Sequence, residues 1–264
     1  MEPITLAGLK GNKFPAKTNP EPTPLLFIHG AFADHHCFST FANYFAERGF
    51  TSHSISRRGR VGQAPDQAAG LNFNDYITDT LNIIKAIEPT PILIGHSLGG
   101  LVAMKAAEHM DGIPAMALIN SAPPAMLTAQ PISLPYFAPL LPKIIAGKSF
   151  KPSIRAFKTL ALQYMSETDQ EKIATSLIPE SGIVYRQVMF GQITLKKQIS
   201  IPTLVIGSEQ DRIISKRLVW ISAKKCNTDA RFYANHGHWI IEEPGWEMLA
   251  EDIINWIKTK VSSE

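Results

Sequence analysis

The residue in this chain best placed to act as a nucleophile is a serine flanked by glycines, in Gly95-His96-Ser97-Leu98-Gly99. These five residues directly follow the apolar run Ile92-Leu93-Ile94 and precede a stretch that reads as a helix to about Met110. A strand turning sharply into a helix strains the backbone of its corner residue and raises that side chain over the sheet. Flanking glycines leave room for the chain to come close on either side. The corner is also a helix N-terminus, where free N–H groups and the helix dipole favour developing negative charge.

A serine hydroxyl is a weak nucleophile at neutral pH and needs a base and a group to orient that base. Among the eight histidines, His29 and His96 sit inside strand-end motifs and are expected to shape loops. His35, His36, His53 and His109 have no motif around them. His236 and His238 follow an expected strand at 231–234, on a loop that parallel strands deliver to the same sheet edge as Ser97. His238, just before Trp239, is the candidate general base, with His236 as its rival. Asp211 follows an expected strand at 203–207 through Ser208-Glu209-Gln210, where a carboxylate can fix the histidine tautomer and stabilise the imidazolium. Glu209 is the local competitor and reads as a solvated loop charge. The order Ser97, Asp211, His238 is the chain order of a nucleophile-elbow triad.

Acyl transfer also needs backbone N–H groups aimed at the developing oxyanion. Leu98 supplies one. The loop His29-Gly30-Ala31-Phe32 supplies the second, from Ala31, with Phe32 as a substitute donor or as a wall of the pocket.

The elements that must position these groups are legible as alternation. Short strand-like segments, at 25–28, 51–56, 92–94, 115–119, 203–207 and 231–234, are separated by amphipathic stretches at 38–45, 73–88, 98–110, 216–224 and 246–257. That pattern predicts βαβ units and an α/β fold with a mainly parallel sheet. Pro15, Pro20, Pro22 and Pro24 mark an extended lead-in. From Pro123 to Ile199 the alternation stops, and prolines interrupt apolar residues at roughly helical spacing. The expected organisation is a core of residues 1–122 and 200–264 carrying a helical cap at 123–199.

The 264 residues are 45% hydrophobic and 19% charged, with net charge +3, which fits an ordinary soluble globular chain. The scattered cations argue against a nucleic-acid face. Cys37 and Cys226 form no paired spacing and are expected as free thiols. The N-terminus lacks the basic and apolar regions of a signal peptide, and no window has the roughly 18 apolar residues of a membrane span. A cytoplasmic location is expected, without stable membrane insertion. Asp34-His35-His36-Cys37 invites a metal reading, but adjacent histidines on a helix are expected to point to different faces, and no metal site is predicted.

His29-Gly30, Gly95-His96-Ser97-Leu98-Gly99-Gly100, Asp211 and Gly237-His238-Trp239 together resemble the α/β-hydrolase superfamily, over nearly the whole core. The resemblance implies an eight-stranded, mostly parallel sheet flanked by helices, with the cap inserted after the sixth strand. It also implies ester hydrolysis through an acyl-enzyme, without metal or organic cofactor. One departure concerns the turn after the fourth strand, where many members carry an Asp-x-Arg-Gly-x-Gly-like motif. This chain has Ser56-Arg57-Arg58-Gly59-Arg60-Val61-Gly62, lacking the acid and adding Arg60.

The expected substrate is a lipophilic small-molecule ester. Residues 125–165 are rich in apolar groups such as Met126, Leu127, Leu134, Phe137, Leu140, Ile145 and Phe157, which either pack the cap onto the core or line a tunnel over Ser97. Phe32, His96, Phe137 and Trp239 are the candidate pocket residues. Arg57, Arg58 and Arg60 are expected as a solvated cluster. A second reading has them greet an anionic acyl-CoA, which would make a thioesterase. The same scaffold also accommodates C–C hydrolysis, cofactor-free perhydrolysis, lyase chemistry or a non-catalytic small-molecule receptor, because a fold does not fix its reaction.

Overall fold

The computed structural model describes residues 1–60 and 67–260. Eight strands form one sheet: β1 (Glu2–Leu6), β2 (Leu9–Phe14), β3 (Leu25–Ile28), β4 (Ser52–Ile55), β5 (Ile92–His96), β6 (Met116–Ile119), β7 (Thr203–Ser208) and β8 (Ala230–Tyr233). Their order is β1-β2-β4-β3-β5-β6-β7-β8. The β1–β2 and β2–β4 pairs are antiparallel, and the remaining five are parallel. This is the eight-stranded, mostly parallel α/β architecture that the alternation and the resemblance lead one to expect.

The central strands are short apolar runs because both of their faces are covered. In β3, Leu25 and Phe27 enter one core while Leu26 and Ile28 enter the other; β5 divides Ile92 and Ile94 from Leu93 in the same way. One face packs against α1 (Ser39–Glu47) and α10 (Trp246–Lys260), with Phe41, Phe45 and Ile253 fully buried. The other packs against α2 (Phe73–Lys85), α3 (Leu98–His109) and α9 (Lys216–Lys225) through Ile84, Leu101 and Val219.

No apolar pattern in the sequence marks the hairpin of β1 and β2. Its strands mix polar and apolar residues, and β1 is a largely exposed edge. Ala7 (φ 51°) and Gly8 (φ 78°) form its tight two-residue turn.

Parallel register aligns the C-terminal ends of the strands. Ile28 lies opposite Gly95, His96 opposite Ile119, and Ser208 opposite Tyr233. The loops that leave β3, β5, β6, β7 and β8 therefore emerge along one edge. The chain winds outward in both directions from β3, so the strand order reverses between β3 and β5. Ligands of open α/β sheets bind in the crevice at such a point.

Between β6 and β7 the chain adds no strand to the sheet. It forms α4 (Leu134–Phe137), α5 (Leu141–Ile145), α6 (Ile154–Ala161), α7 (Glu167–Thr175) and α8 (Gly182–Met189), with one antiparallel bridge between Phe150 and Glu180. No helix among the described residues is long and apolar enough to cross a membrane. Cys37 and Cys226 are free thiols.

Candidate active site

Ser97 has φ 54° and ψ −122°, a left-handed conformation that costs a non-glycine residue on the order of 1–3 kcal/mol. The turn is locked by Ser97 N–H donating to Ile119 O (3.0 Å) and Ser97 O accepting from the N–H groups of Gly100 and Ala122 (3.0 Å each). The flanking glycines are sterically required. A Cβ at Gly95 would lie 2.6 Å from Gly99 O, and one at Gly99 only 2.0 Å from Ile28 O.

Ser97 Oγ–H donates to His238 Nε2 at 2.9 Å, and His238 Nδ1–H donates to Asp211 Oδ2 at 2.8 Å. The other Asp211 oxygen accepts the backbone N–H groups of Ile213 (2.7 Å) and Ile214 (2.9 Å). Both His238 and Asp211 are buried. Such a chain can take the proton from a serine hydroxyl and hold the resulting imidazolium against a fixed carboxylate. The rivals fall elsewhere. His236 Nδ1 contacts Glu243 at 3.3 Å, and Glu209 pairs with Lys216 at the surface.

Three residues outside the expected set hold this arrangement together. Asn120, just after β6 and at φ 45°, donates through Nδ2 to Ser208 Oγ and to the carbonyls of Gly237 and His238, while its Oδ1 accepts Ser208 N–H. Glu243 accepts Gly237 N–H at 2.7 Å. Gln130 donates to Asp211 O at 2.7 Å from the stretch between β6 and β7. Each lies far in sequence from what it holds or within an unremarkable polar stretch. Only the strand-end position of Asn120 could have singled it out.

His96 shapes the loop as expected. Its Nε2–H donates to His238 O (2.8 Å). Burial first, then the neighbouring His238, pushes its pKa down to about 3, so it stays neutral. His29 is also fully buried and held well below the usual imidazole range by burial and then by Arg57 and Arg60.

Leu98 opens α3, so its N–H is among the first-turn donors without an intrahelical acceptor. Across the crevice, Gly30 approaches so closely that a Cβ there would lie 3.1 Å from Ser97 Cβ. The Ala31 peptide follows directly. Phe32 sits at φ 61°, and its ring packs against Phe150 (5.4 Å between centroids) and Tyr185 (5.8 Å).

A cavity of about 50 Å³ lies over Ser97 and His238. Phe32, His96, Phe137 and Trp239 all line it, joined by Leu140, Phe157 and Tyr185. The apolar residues of 125–165 thus divide: Phe137, Leu140 and Phe157 face the cavity, whereas Met126, Leu134 and Ile145 are more than half exposed.

Two expectations are corrected. Arg57 and Arg60 do not form a solvated cluster: they are 2% and 3% exposed. Arg60 pairs with the buried Glu180, and Arg57 donates to the carbonyls of His29 and Gly30. Arg58 alone is partly exposed, and it pairs with Asp79 and Asp75. Val61 and Gly62 of the same turn lie outside the described residues. Second, His35 and His36 do not point apart. In the 3₁₀ turn His35–Phe38 their rings lie 4.0 Å apart, and with Asp34 they offer three ligand atoms within 4.8 Å of one another. Two of the neighbouring polar atoms already have partners: Asp34 Oδ1 accepts His36 N–H, and His35 Nδ1 bonds Ser56 Oγ.

A model of the alpha/beta hydrolase family matches residues 25–248. The chain is 26% identical over 217 residues to the AB hydrolase superfamily protein YisY of Bacillus subtilis (strain 168), covering 72% of this chain and 75% of that protein. Its fold is similar to that of a monoacylglycerol lipase from Paleococcus ferrophilus, with TM-score 0.74 and 21% identity over 96% of this chain and 99% of the lipase. An esterase from Exiguobacterium antarcticum gives TM-score 0.73 and 18% identity over 97% and 99% of the two chains. The matched span runs from the first residue of β3 past the loop that carries His238, and the chain belongs to the alpha/beta hydrolase family.

Proposed function

We propose that this protein is a carboxylesterase that cleaves small, uncharged, apolar esters through an acyl-enzyme on Ser97. The observation that carries the reading is the hydrogen-bonded chain Ser97–His238–Asp211 at the floor of an apolar cavity. Ser97 Oγ attacks the ester carbonyl while its proton passes to His238 Nε2. The oxyanion that forms is held by the N–H groups of Ala31 and Leu98. Collapse expels the alcohol, which takes the proton from His238. Water, deprotonated by the same nitrogen, then releases the acid and restores the serine.

Substrate size follows from the cavity. Sites that enclose a drug-sized ligand measure roughly 300–1,000 Å³, against about 50 Å³ here. With α4, Leu140 and α6 in this position a short acyl group fits, and a longer chain requires them to shift. The stretch 123–199 therefore acts as the cap that sets chain length. The burial of Arg57 and Arg60 and the pairing of the partly exposed Arg58 with Asp79 and Asp75 favour an uncharged ester over an acyl-CoA.

A panel of p-nitrophenyl esters from acetate to laurate, with Ser97→Ala as control, tests the reading. Turnover is expected to be highest for the short esters and abolished in the variant, together with fluorophosphonate labelling. No turnover of any ester by the wild type, or undiminished turnover by Ser97→Ala, refutes it.

A further inference from the structure

Arg57 follows β4, the strand beside β3, and its guanidinium lies behind the loop that carries Gly30 and Ala31. Nη1 donates to His29 O at 2.6 Å and Nη2 to Gly30 O at 3.1 Å. The Arg57 backbone N–H donates to His29 Nε2 at 3.3 Å, which fixes the tautomer in which His29 Nδ1–H donates to Gly30 O at 2.9 Å. Gly30 O thus receives two donors, one of them cationic. Among the described residues Arg57 forms no ion pair within 4.0 Å, and Tyr76 presents its ring face 4.8 Å from Cζ. Burying a cation is costly. Here it is spent on two consecutive carbonyls immediately before Ala31.

In a trans peptide the C=O and the following N–H point in opposite directions. Holding Gly30 O toward Arg57 therefore aims Ala31 N–H away from it, and Gly30 itself abuts Ser97. A cation bonded to the carbonyl also polarises the peptide and makes its N–H a better donor, an effect that burial amplifies.

We infer that Arg57 is a positioning residue for the oxyanion site: it orients and polarises the Gly30–Ala31 peptide so that Ala31 N–H meets the developing charge. The inference rests on the esterase reading of the same site. Burial and the neighbouring Arg60 lower the Arg57 pKa to about 10, so the group remains a cation at neutral pH. Lysine cannot replace it, because a single ammonium lacks the planar fork that bonds both carbonyls.

The test compares wild type, Arg57→Gln and Arg57→Lys for p-nitrophenyl acetate hydrolysis and for binding of phenylboronic acid, which forms a tetrahedral anion on Ser97. Deleting a direct oxyanion donor costs about 10²–10³ in kcat, and a residue acting one peptide away is expected to cost about 30-fold. Arg57→Gln is expected to lose kcat by that factor with KM within twofold, and to weaken boronate binding in parallel. Affinity for a neutral, non-covalent ester analogue should not change. Arg57→Lys should fall between the two, and if Arg57→Gln does not fold the same ratios are read from Arg57→Lys. Variant kcat and boronate affinity within threefold of wild type overturn the inference, as does a kcat loss without loss of boronate affinity. A wild type that neither hydrolyses the ester nor binds the boronate overturns the esterase reading, and the inference with it. That failure is recognisable because it appears before any substitution.

Discussion

Glu180→Gln should be among the most damaging single changes to stability, although residue 180 lies away from Ser97. Glu180 and Arg60 are an ion pair with side chains 0% and 1% exposed, at 2.5 Å. Tyr76 O–H donates to the same carboxylate at 2.5 Å and Ser181 N–H at 2.9 Å. Burial by itself would raise the Glu180 pKa, but Arg60, Arg57 and these hydrogen bonds outweigh it and hold the carboxyl below its ordinary value. The glutamine keeps the shape and loses the charge, leaving Arg57 and Arg60 as two buried cations facing no buried anion among these contacts. Removing one partner of a buried pair costs about 3–5 kcal/mol. For a chain of this size that lowers Tm by roughly 5–9 °C. The carboxylate contribution is complete above the unfolded-state pKa of about 4.3 and is lost as pH falls through the depressed folded-state value. The gap between wild type and variant should therefore be constant from pH 5 to 8 and shrink in stronger acid. Thermal unfolding followed by circular dichroism across that pH series is the assay. A Tm within 2 °C of wild type at pH 7, or a gap that widens on acidification, rules out this role for the pair. Replacing both partners together, as Arg60→Met with Glu180→Met, should recover much of the loss, because no charge is then left unpaired.

Asp211→Asn should fold normally and lower kcat by about 10⁴-fold, because an amide in place of the carboxylate favours the wrong His238 tautomer; steady-state kinetics at constant Tm check this. Leu140→Ala removes a wall of the small cavity at a partly buried position, and is expected to shift the preferred acyl chain upward by about two carbons at a cost of up to ~2 kcal/mol. A chain-length profile of kcat/KM reads the shift, and an unchanged profile would show that Leu140 does not limit the cavity.

Features legible along the chain are those held by short-range demands. The apolar runs of β3, β5, β6 and β7 were legible because a strand covered on both faces is built mainly from apolar side chains. The corner at Ser97 was legible because its requirement is steric and local: the atoms a Cβ at Gly95 or Gly99 would strike lie within a few residues of the turn or on the adjoining strand end. Asp211 and His238 could be placed because parallel register carries every strand end to one edge. The hairpin β1–β2 escaped because a half-exposed edge leaves no such signature.

Pattern, steric demand and register were therefore enough to predict the α/β architecture and to nominate Ser97, Asp211 and His238, which the fold brings into one hydrogen-bonded chain. Groups distant along the chain became visible only once it was folded. Arginines are ordinarily solvated, and nothing local marks Arg57 as bonded to carbonyls 27 and 28 residues away, or Arg60 to a carboxylate 120 residues away. Asn120 meets its partners at separations of 88 to 118 residues. The space over Ser97 is bounded by side chains of α4 and α6 and by Leu140. A composition rich in apolar residues states that they will be buried, and only packing states how much space they leave.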